Sequence, residues 1–234
     1  MPLVLVTGDP AGVGGAVVPR LVAAGHEVVF AHRGGAAEAV AEMAAKAAAG
    51  GGRVLARELA ADDEAALRAL VREAEEEIGP LAAVVACAVD RVTEGPATAG
   101  PAEAADAVSG PGTEVWAAAT GGMDGAYHAV RTVIFSFVRR RGGRVIAVTS
   151  AAGLDGDPDR PLESAAAAGV VGFVRSVAKE YAGYGVTANA VAAAPAAAGA
   201  PETAQVADVV AFLVSDQAAS LTGQVLRAGA EPAA

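Results

Sequence analysis

Short runs of aliphatic and β-branched residues alternate with longer alanine-rich segments along the chain, and this alternation constrains the fold most strongly. The runs are almost wholly apolar, which is typical of strands in a parallel sheet that helices cover on both faces. The predicted strands are 3–7, 27–31, 53–56, 83–88, 144–149, 186–191 and 224–227. The predicted helices are 12–24, 35–49, 62–78, 113–141, 163–182 and 204–215. This order predicts an α/β fold, an open doubly wound parallel sheet of about seven strands.

Length and composition exclude several classes of protein. The 234 residues predict one domain, 1–234. Because the net charge is −10 and only 4% of residues are aromatic, we expect no nucleic-acid partner. The longest uncharged stretch, 182–201, contains Asn189, Pro195 and three glycines, so we expect no membrane span. One cysteine and three scattered histidines predict neither a disulfide framework nor a metal site. The first residues lack a basic segment typical of a signal peptide, and we expect a cytoplasmic protein.

A glycine-rich turn follows the first predicted strand and opens the first predicted helix. Residues 7–14 read TGDPAGVG. In this context Gly8, Gly12 and Gly14 allow the backbone to approach a pyrophosphate at the helix N-terminus. The alternative is that the glycines only pack the helix against the strand. Asp9 favours that alternative, because a carboxylate beside a phosphate pocket repels the ligand.

The end of the second predicted strand bears on the choice of nucleotide. A site that prefers NAD places an acidic residue there, whereas this chain reads His32-Arg33. Arg33 can meet a 2′-phosphate, which favours NADP(H). A solvated arginine in a loop is the equally acceptable alternative.

Three segments together resemble the short-chain dehydrogenase/reductase family, and its ketoacyl-reductase-like members most. They are the T-G-x-x-x-G-x-G spacing, a long helix before a strand that ends Val148-Thr149-Ser150, and residues 211–223, which read AFLVSDQAASLTG. The resemblance covers essentially the whole chain. It implies a single-domain Rossmann-like fold, a nicotinamide cofactor and carbonyl–alcohol interconversion. It also implies dimers or tetramers built on the two long helices, 113–141 and 163–182.

The resemblance places the family's four catalytic groups on specific positions of this chain. Ser150 matches the serine, but the tyrosine falls on Glu163, the lysine on Ala167 and the asparagine on Gly122. No Tyr-x-x-x-Lys pattern occurs elsewhere, because the two lysines are Lys46 and Lys179 and neither follows a tyrosine by four residues. A glutamate is ordinarily ionised at pH 7 and then has no proton to donate. Ser150 alone can hydrogen-bond a substrate oxygen or simply cap the end of its strand.

Other positions also depart from the family pattern. The family's Asn-Asn-Ala-Gly after the fourth strand reads ACAV at 86–89, and its Pro-Gly after the sixth strand reads Ala193-Ala194. The substrate lid is shortened near 192–202. We therefore expect no cofactor or only weak NADP(H) binding, and no oxidoreductase activity by this chain on its own.

Three functions remain open. The first is a non-catalytic subunit that pairs with an active homologous ketoreductase through helices 113–141 and 163–182, although a homo-oligomer is also compatible. The second is non-redox chemistry, an isomerisation, elimination or cyclisation, with Glu163 as base and Ser150 as anchor. Asp155, Asp157 and Asp159 are alternative bases in that case. The third is a weak NADP(H)-dependent carbonyl reductase.

Overall fold

The computed structural model describes residues 1–32, 34, 37–49, 51–59, 63–89, 113–194 and 201–229. Seven parallel strands form one sheet in the order β3-β2-β1-β4-β5-β6-β7. The strands are β1 (Leu3–Gly8), β2 (Glu27–His32), β3 (Val54–Glu58), β4 (Leu81–Cys87), β5 (Gly143–Ser150), β6 (Val186–Ala193) and β7 (Val225–Ala228). The predicted doubly wound α/β fold is confirmed.

Helices cover both faces of this sheet. They are α1 (Val13–Ala23), α2 (Ala37–Ala49), α3 (Glu64–Glu77), α4 (Thr113–Arg140), α5 (Ala152–Asp155), α6 (Pro161–Tyr181) and α7 (Pro201–Val214). Helices α1, α2 and α7 pack on one face, and α3, α4 and α6 pack on the other. In the described part of the chain, no helix combines the length and the apolar character needed to cross a membrane.

The strand sequences explain this two-sided core. Successive side chains of a strand point to opposite faces of its sheet. In β1, Leu3 and Leu5 join the core beneath α3, α4 and α6, whereas Val4 and Val6 join the core beneath α1, α2 and α7. Both faces of a strand are therefore buried, which is why the strand sequences are apolar throughout.

The observed elements differ from the predicted ones mainly at their ends. The structure has β6 continuing to Ala193 and α7 beginning at Pro201. Most of the segment 192–202, where we expect a shortened substrate lid, lies outside the described residues. Helix α6 begins two residues early, at Pro161, whose fixed φ suits the first turn of a helix. Glu163 therefore lies inside that first turn. The four-residue helix α5 was not predicted, because it is too short to show a helical period.

The strand order places the candidate site. The chain runs outward from β1 in one direction and from β4 in the other, so the order reverses between these two neighbouring strands. In open α/β sheets, ligands bind beyond the carboxyl ends of the strands at such a reversal. The segments that follow β1, β4 and β5 meet there.

Candidate functional site

A small cavity lies where α4 and α6 approach the carboxyl ends of β4 and β5. Its walls include all four positions that the resemblance singled out, Gly122, Ser150, Glu163 and Ala167. The structure thus brings these predicted positions together. The cavity formed by the described residues measures about 10 Å³, which is room for roughly one water molecule.

Ser150 is the last residue of β5 and is buried. Its Oγ accepts a hydrogen bond of 3.2 Å from the backbone N–H of Ala152, in the first turn of α5. The hydroxyl therefore holds the start of the following helix, as the alternative interpretation of this serine predicted. It also lines the cavity, so its remaining hydrogen-bonding capacity faces that space.

Glu163 is buried, with 6% of its side chain exposed, and it forms an ion pair with Arg160. Arg160 Nη1 donates to Glu163 Oε2 at 3.0 Å. The same guanidinium donates through Nε and Nη2 to Asp157 Oδ2, at 3.0 Å and 2.7 Å. The glutamate that the resemblance places at the family's tyrosine position is thus the buried member of a three-residue charge cluster.

The cluster moves the pKa of two of its members, Arg160 and Asp157, away from their ordinary values. Burial lowers the pKa of Arg160, but hydrogen bonding to Asp157 and the charge of Glu163 outweigh burial, so this pKa lies above its ordinary value. The hydrogen bond from Arg160 lowers the pKa of Asp157. Sequence reasoning missed Arg160, although a signal was present: an arginine three residues before a glutamate is within reach across the first turn of a helix.

The position that corresponds to the family's asparagine is closed by backbone. Gly122 of α4 lies so near the end of β4 that a Cβ on it would stand 2.3 Å from the carbonyl oxygen of Ala88. Ala88 is itself held in place, because its N–H donates to the carbonyl of Val148 at 2.8 Å. No side chain larger than hydrogen fits at 122 unless α4 moves.

The position that the resemblance assigns to the family's lysine lies against a neighbouring helix. Ala167 of α6 is buried. Helix α5 lies directly on it, since a Cβ on Gly153 would stand 2.6 Å from the carbonyl carbon of Ala167. Neither lysine of the chain supplies an ammonium instead, because Lys46 lies on α2 and Lys179 near the end of α6.

The alternative acids of the 155–159 loop lie outside the cavity walls. Asp155 pairs with Arg227 of β7 through contacts of 2.6 Å and 2.5 Å. Hydrogen bonds from Arg227 lower the pKa of Asp155. Asp157 belongs to the Arg160 cluster, and the N–H of Asp159 donates to Asp157 Oδ1 at 3.0 Å. These acids stabilise the loop rather than face the cavity.

The glycine turn follows β1 as predicted. Gly8 ends β1 and Gly12 immediately precedes α1. Gly14 is closely surrounded, because a Cβ there would stand 3.0 Å from the Asp9 carbonyl oxygen and 3.2 Å from the ring of Phe30. Arg33, the candidate for a 2′-phosphate, lies outside the described residues.

The turn makes its own hydrogen bonds. The carbonyl of Asp9 accepts from the N–H groups of Gly12 and Gly15, at 3.1 Å and 3.0 Å. The carboxylate of Asp9 accepts from the N–H of Ala11 at 2.7 Å. Among the described residues, no group of three or more histidine, cysteine, aspartate or glutamate side chains is placed to hold a metal ion.

Comparison with known proteins identifies similar sequences. Residues 2–207 match the family described as short chain dehydrogenase. A 3-oxoacyl-[acyl-carrier-protein] reductase of Synechocystis sp. is 38% identical over 123 residues, 44% of this chain and 49% of that protein. The reductase MabA of Mycobacterium avium, also a 3-oxoacyl-[acyl-carrier-protein] reductase, is 28% identical over 244 residues, 95% of this chain and 86% of that protein. The chain spans about half the length of the first curated relatives it matches.

A solved structure has the same fold. The crystal structure of carveol dehydrogenase from Mycobacterium avium in complex with NAD superposes with a TM-score of 0.82. The match covers 97% of this chain and 95% of the other, at 19% sequence identity. This likeness concerns the architecture of the sheet and helices.

Proposed function

The chain belongs to the short-chain dehydrogenase family, and from this premise we propose that it is a non-catalytic member that pairs with an active homologous ketoreductase. The observation that carries the proposal is the packing at Gly122, in the wall of the cavity. The resemblance places the family's asparagine and lysine on Gly122 and Ala167, which supply neither group, and the backbone of Ala88 occupies the space beside Gly122. The cavity that the described residues form has room for about one water molecule.

The charges in the cavity also disfavour carbonyl reduction. A tyrosine, whose reference pKa is about 10, works as an acid near neutral pH only when an adjacent cation favours its phenolate. Here Glu163 stands in the tyrosine's place, and the nearby cation, Arg160, is engaged by two carboxylates. Arg160 is therefore not available to play the part of the family's lysine.

The outer surface of α4 and α6 is the proposed pairing surface. Exposed aromatic side chains follow one side of α4, namely Trp116, Tyr127 and Phe135. Tyr127 contacts Phe173 of α6, with ring centroids 6.0 Å apart, so the two helices form one continuous surface. We call this the α4–α6 face. Exposed apolar surface of this kind marks an interface, and Phe135, 70% exposed, is its most prominent residue.

Native mass spectrometry of the protein isolated from its source tests the pairing. We expect a complex of this chain with a homologous ketoreductase chain. Phe135→Asp should dissociate the complex, because it puts a charge into a desolvated contact. The matched control is Phe212→Asp, which alters an exposed aromatic residue of α7 on the opposite face and should leave the complex intact.

Two results contradict the proposal. One is a homo-oligomer without any homologous companion chain. The other is an intact complex in the Phe135→Asp variant together with dissociation of the Phe212→Asp variant, which would assign the contact to the α7 surface instead.

A non-redox enzyme is the second candidate, and the burial of Glu163 beside Ser150 favours it. A buried carboxylate at a cavity wall is suited to accept a proton from a bound substrate. For any substrate found, Glu163→Gln should abolish turnover, whereas the control Asp157→Asn keeps Glu163 and its ion pair with Arg160. Equal turnover in Glu163→Gln and Asp157→Asn would exclude Glu163 as the base.

A further inference from the structure

The N-terminus of α1 differs from a ready anion site in how its amide groups are used. The first N–H groups of a helix have no partner within the helix, and a bound phosphate normally satisfies them. In this chain, Asp9 supplies acceptors at the helix end and in the turn before it. Its carbonyl accepts from the N–H of Gly15 in the first turn of α1 and from that of the N-cap residue Gly12, and its carboxylate accepts from the N–H of Ala11 in the preceding turn.

The turn is also folded tightly onto the helix. A Cβ on Gly15 would stand 1.8 Å from the carbonyl oxygen of Pro10, so the backbone of the turn lies directly on the first turn of α1. Gly14 is enclosed by the Asp9 carbonyl and by Phe30. The turn therefore cannot widen around a pyrophosphate without breaking the hydrogen bonds that Asp9 accepts.

The charge of the Asp9 carboxylate also disfavours binding of a pyrophosphate at this turn. The N-terminal end of a helix is electropositive and attracts anions. The first turn of α1 contains no acidic residue, and Asp9 is the acid that lies next to it. A dinucleotide's pyrophosphate entering this turn would meet a carboxylate of like charge at hydrogen-bonding range, which is repulsive.

We propose that Asp9 acts as a built-in substitute for the pyrophosphate and closes the nucleotide-binding turn of this chain from within. The residues of the turn do not fit a dinucleotide in the structure as it stands. This inference concerns the turn alone and goes beyond the pairing function, since a non-catalytic subunit can either keep or lose its nucleotide.

Isothermal titration calorimetry with NADPH and with inorganic pyrophosphate tests the proposal on three full-length proteins. The wild-type chain should show no saturable binding of either compound up to about 1 mM. Asp9→Asn removes the charge but retains an acceptor for the Ala11 N–H, and it should bind pyrophosphate at least about tenfold more tightly than the wild type. Glu76→Gln, at an exposed position of α3, removes the same charge elsewhere and should behave like the wild type.

Circular dichroism establishes that each variant is folded, and Asp9→Ser replaces Asp9→Asn if the latter does not fold. Saturable NADPH binding by the wild type at micromolar concentration overturns the proposal. Equal pyrophosphate affinity of the Asp9 and Glu76 variants also overturns it. Native mass spectrometry tests the pairing function separately, because the Asp9 variant should still form the complex with the homologous chain.

Discussion

Replacing Arg160 by methionine would leave the Glu163 carboxylate buried without its partner. Methionine retains most of the apolar stem of arginine and removes the guanidinium, so the change isolates the charge interaction. The backbone role of residue 160 persists, because its carbonyl still accepts from the N–H and the hydroxyl of Ser164. The expected effect is a loss of folding stability.

The magnitude follows from burial. Breaking a fully buried ion pair by removing one partner costs about 3–5 kcal/mol. Glu163 is nearly fully buried, but 26% of the Arg160 side chain is exposed, so water partly compensates the remaining charge. We expect a loss of about 2–3 kcal/mol in the free energy of unfolding. For a chain of this size, that corresponds to a fall of roughly 5–10 °C in Tm.

Urea denaturation of four proteins measures this effect: wild type, Arg160→Met, Glu163→Gln and the double variant. The double variant should be more stable than Arg160→Met alone by at least about 1 kcal/mol, because no unpaired charge is buried in it. Asp157→Asn is the control that removes the other partner of Arg160, and it should cost only about 1 kcal/mol.

Additive effects in this cycle would refute the reasoning. They would mean that the contact between Arg160 and Glu163 contributes no coupling energy, and that Glu163 is accommodated in the cavity wall without its partner. In that case the ion pair would not explain how a carboxylate persists at this buried position.

Two further changes test the packing and the charges elsewhere in the chain. Gly122→Ala should lower the free energy of unfolding by about 1–3 kcal/mol, because the added methyl group overpacks against Ala88. The control Gly172→Ala, at an open position of α6, should raise the free energy of unfolding by about 0.5–1 kcal/mol. Equal shifts in the urea midpoint of the two variants would show that α4 can move away at Gly122. Burial lowers the pKa of His26 from 6.5, so the unfolded chain binds more protons and stability should fall as pH drops from 7 towards the lowered pKa. His26→Gln should flatten that part of the stability profile, and an unchanged slope between pH 7 and 5 would contradict the assignment.

The fold was predictable because its signal is local. Each strand is apolar on both faces, so its sequence alone distinguishes it from the alanine-rich helices, and the observed strand ends differ from the predicted ones by two residues at most. Helix α5 escaped prediction because four residues contain little more than one helical turn. It forms where Ser150 accepts the N–H of Ala152; the sequence suggested a cap at Ser150 but not the helix that follows it.

The candidate site was predictable in its positions but not in its geometry. The register of the resemblance brought Gly122, Ser150, Glu163 and Ala167 to one cavity. The burial of Glu163 could not be predicted, because it depends on how α5 and α6 pack and on a partner that precedes the helix. The use of Asp9 as an acceptor was equally hidden, since the sequence indicates its charge but not the direction of its carboxylate.

The packing at position 122 bears on whether the family's catalytic groups can be introduced by substitution. At this position, the Cβ of an asparagine would meet the Ala88 carbonyl. A tyrosine at 163 would also leave Arg160 with only Asp157 as a partner. Installing the family's asparagine therefore requires α4 to shift as well, and such a shift opposes a close-packed core. Under the proposed function, substitution of Gly122, Glu163 and Ala167 alone should therefore not give the chain carbonyl-reductase activity.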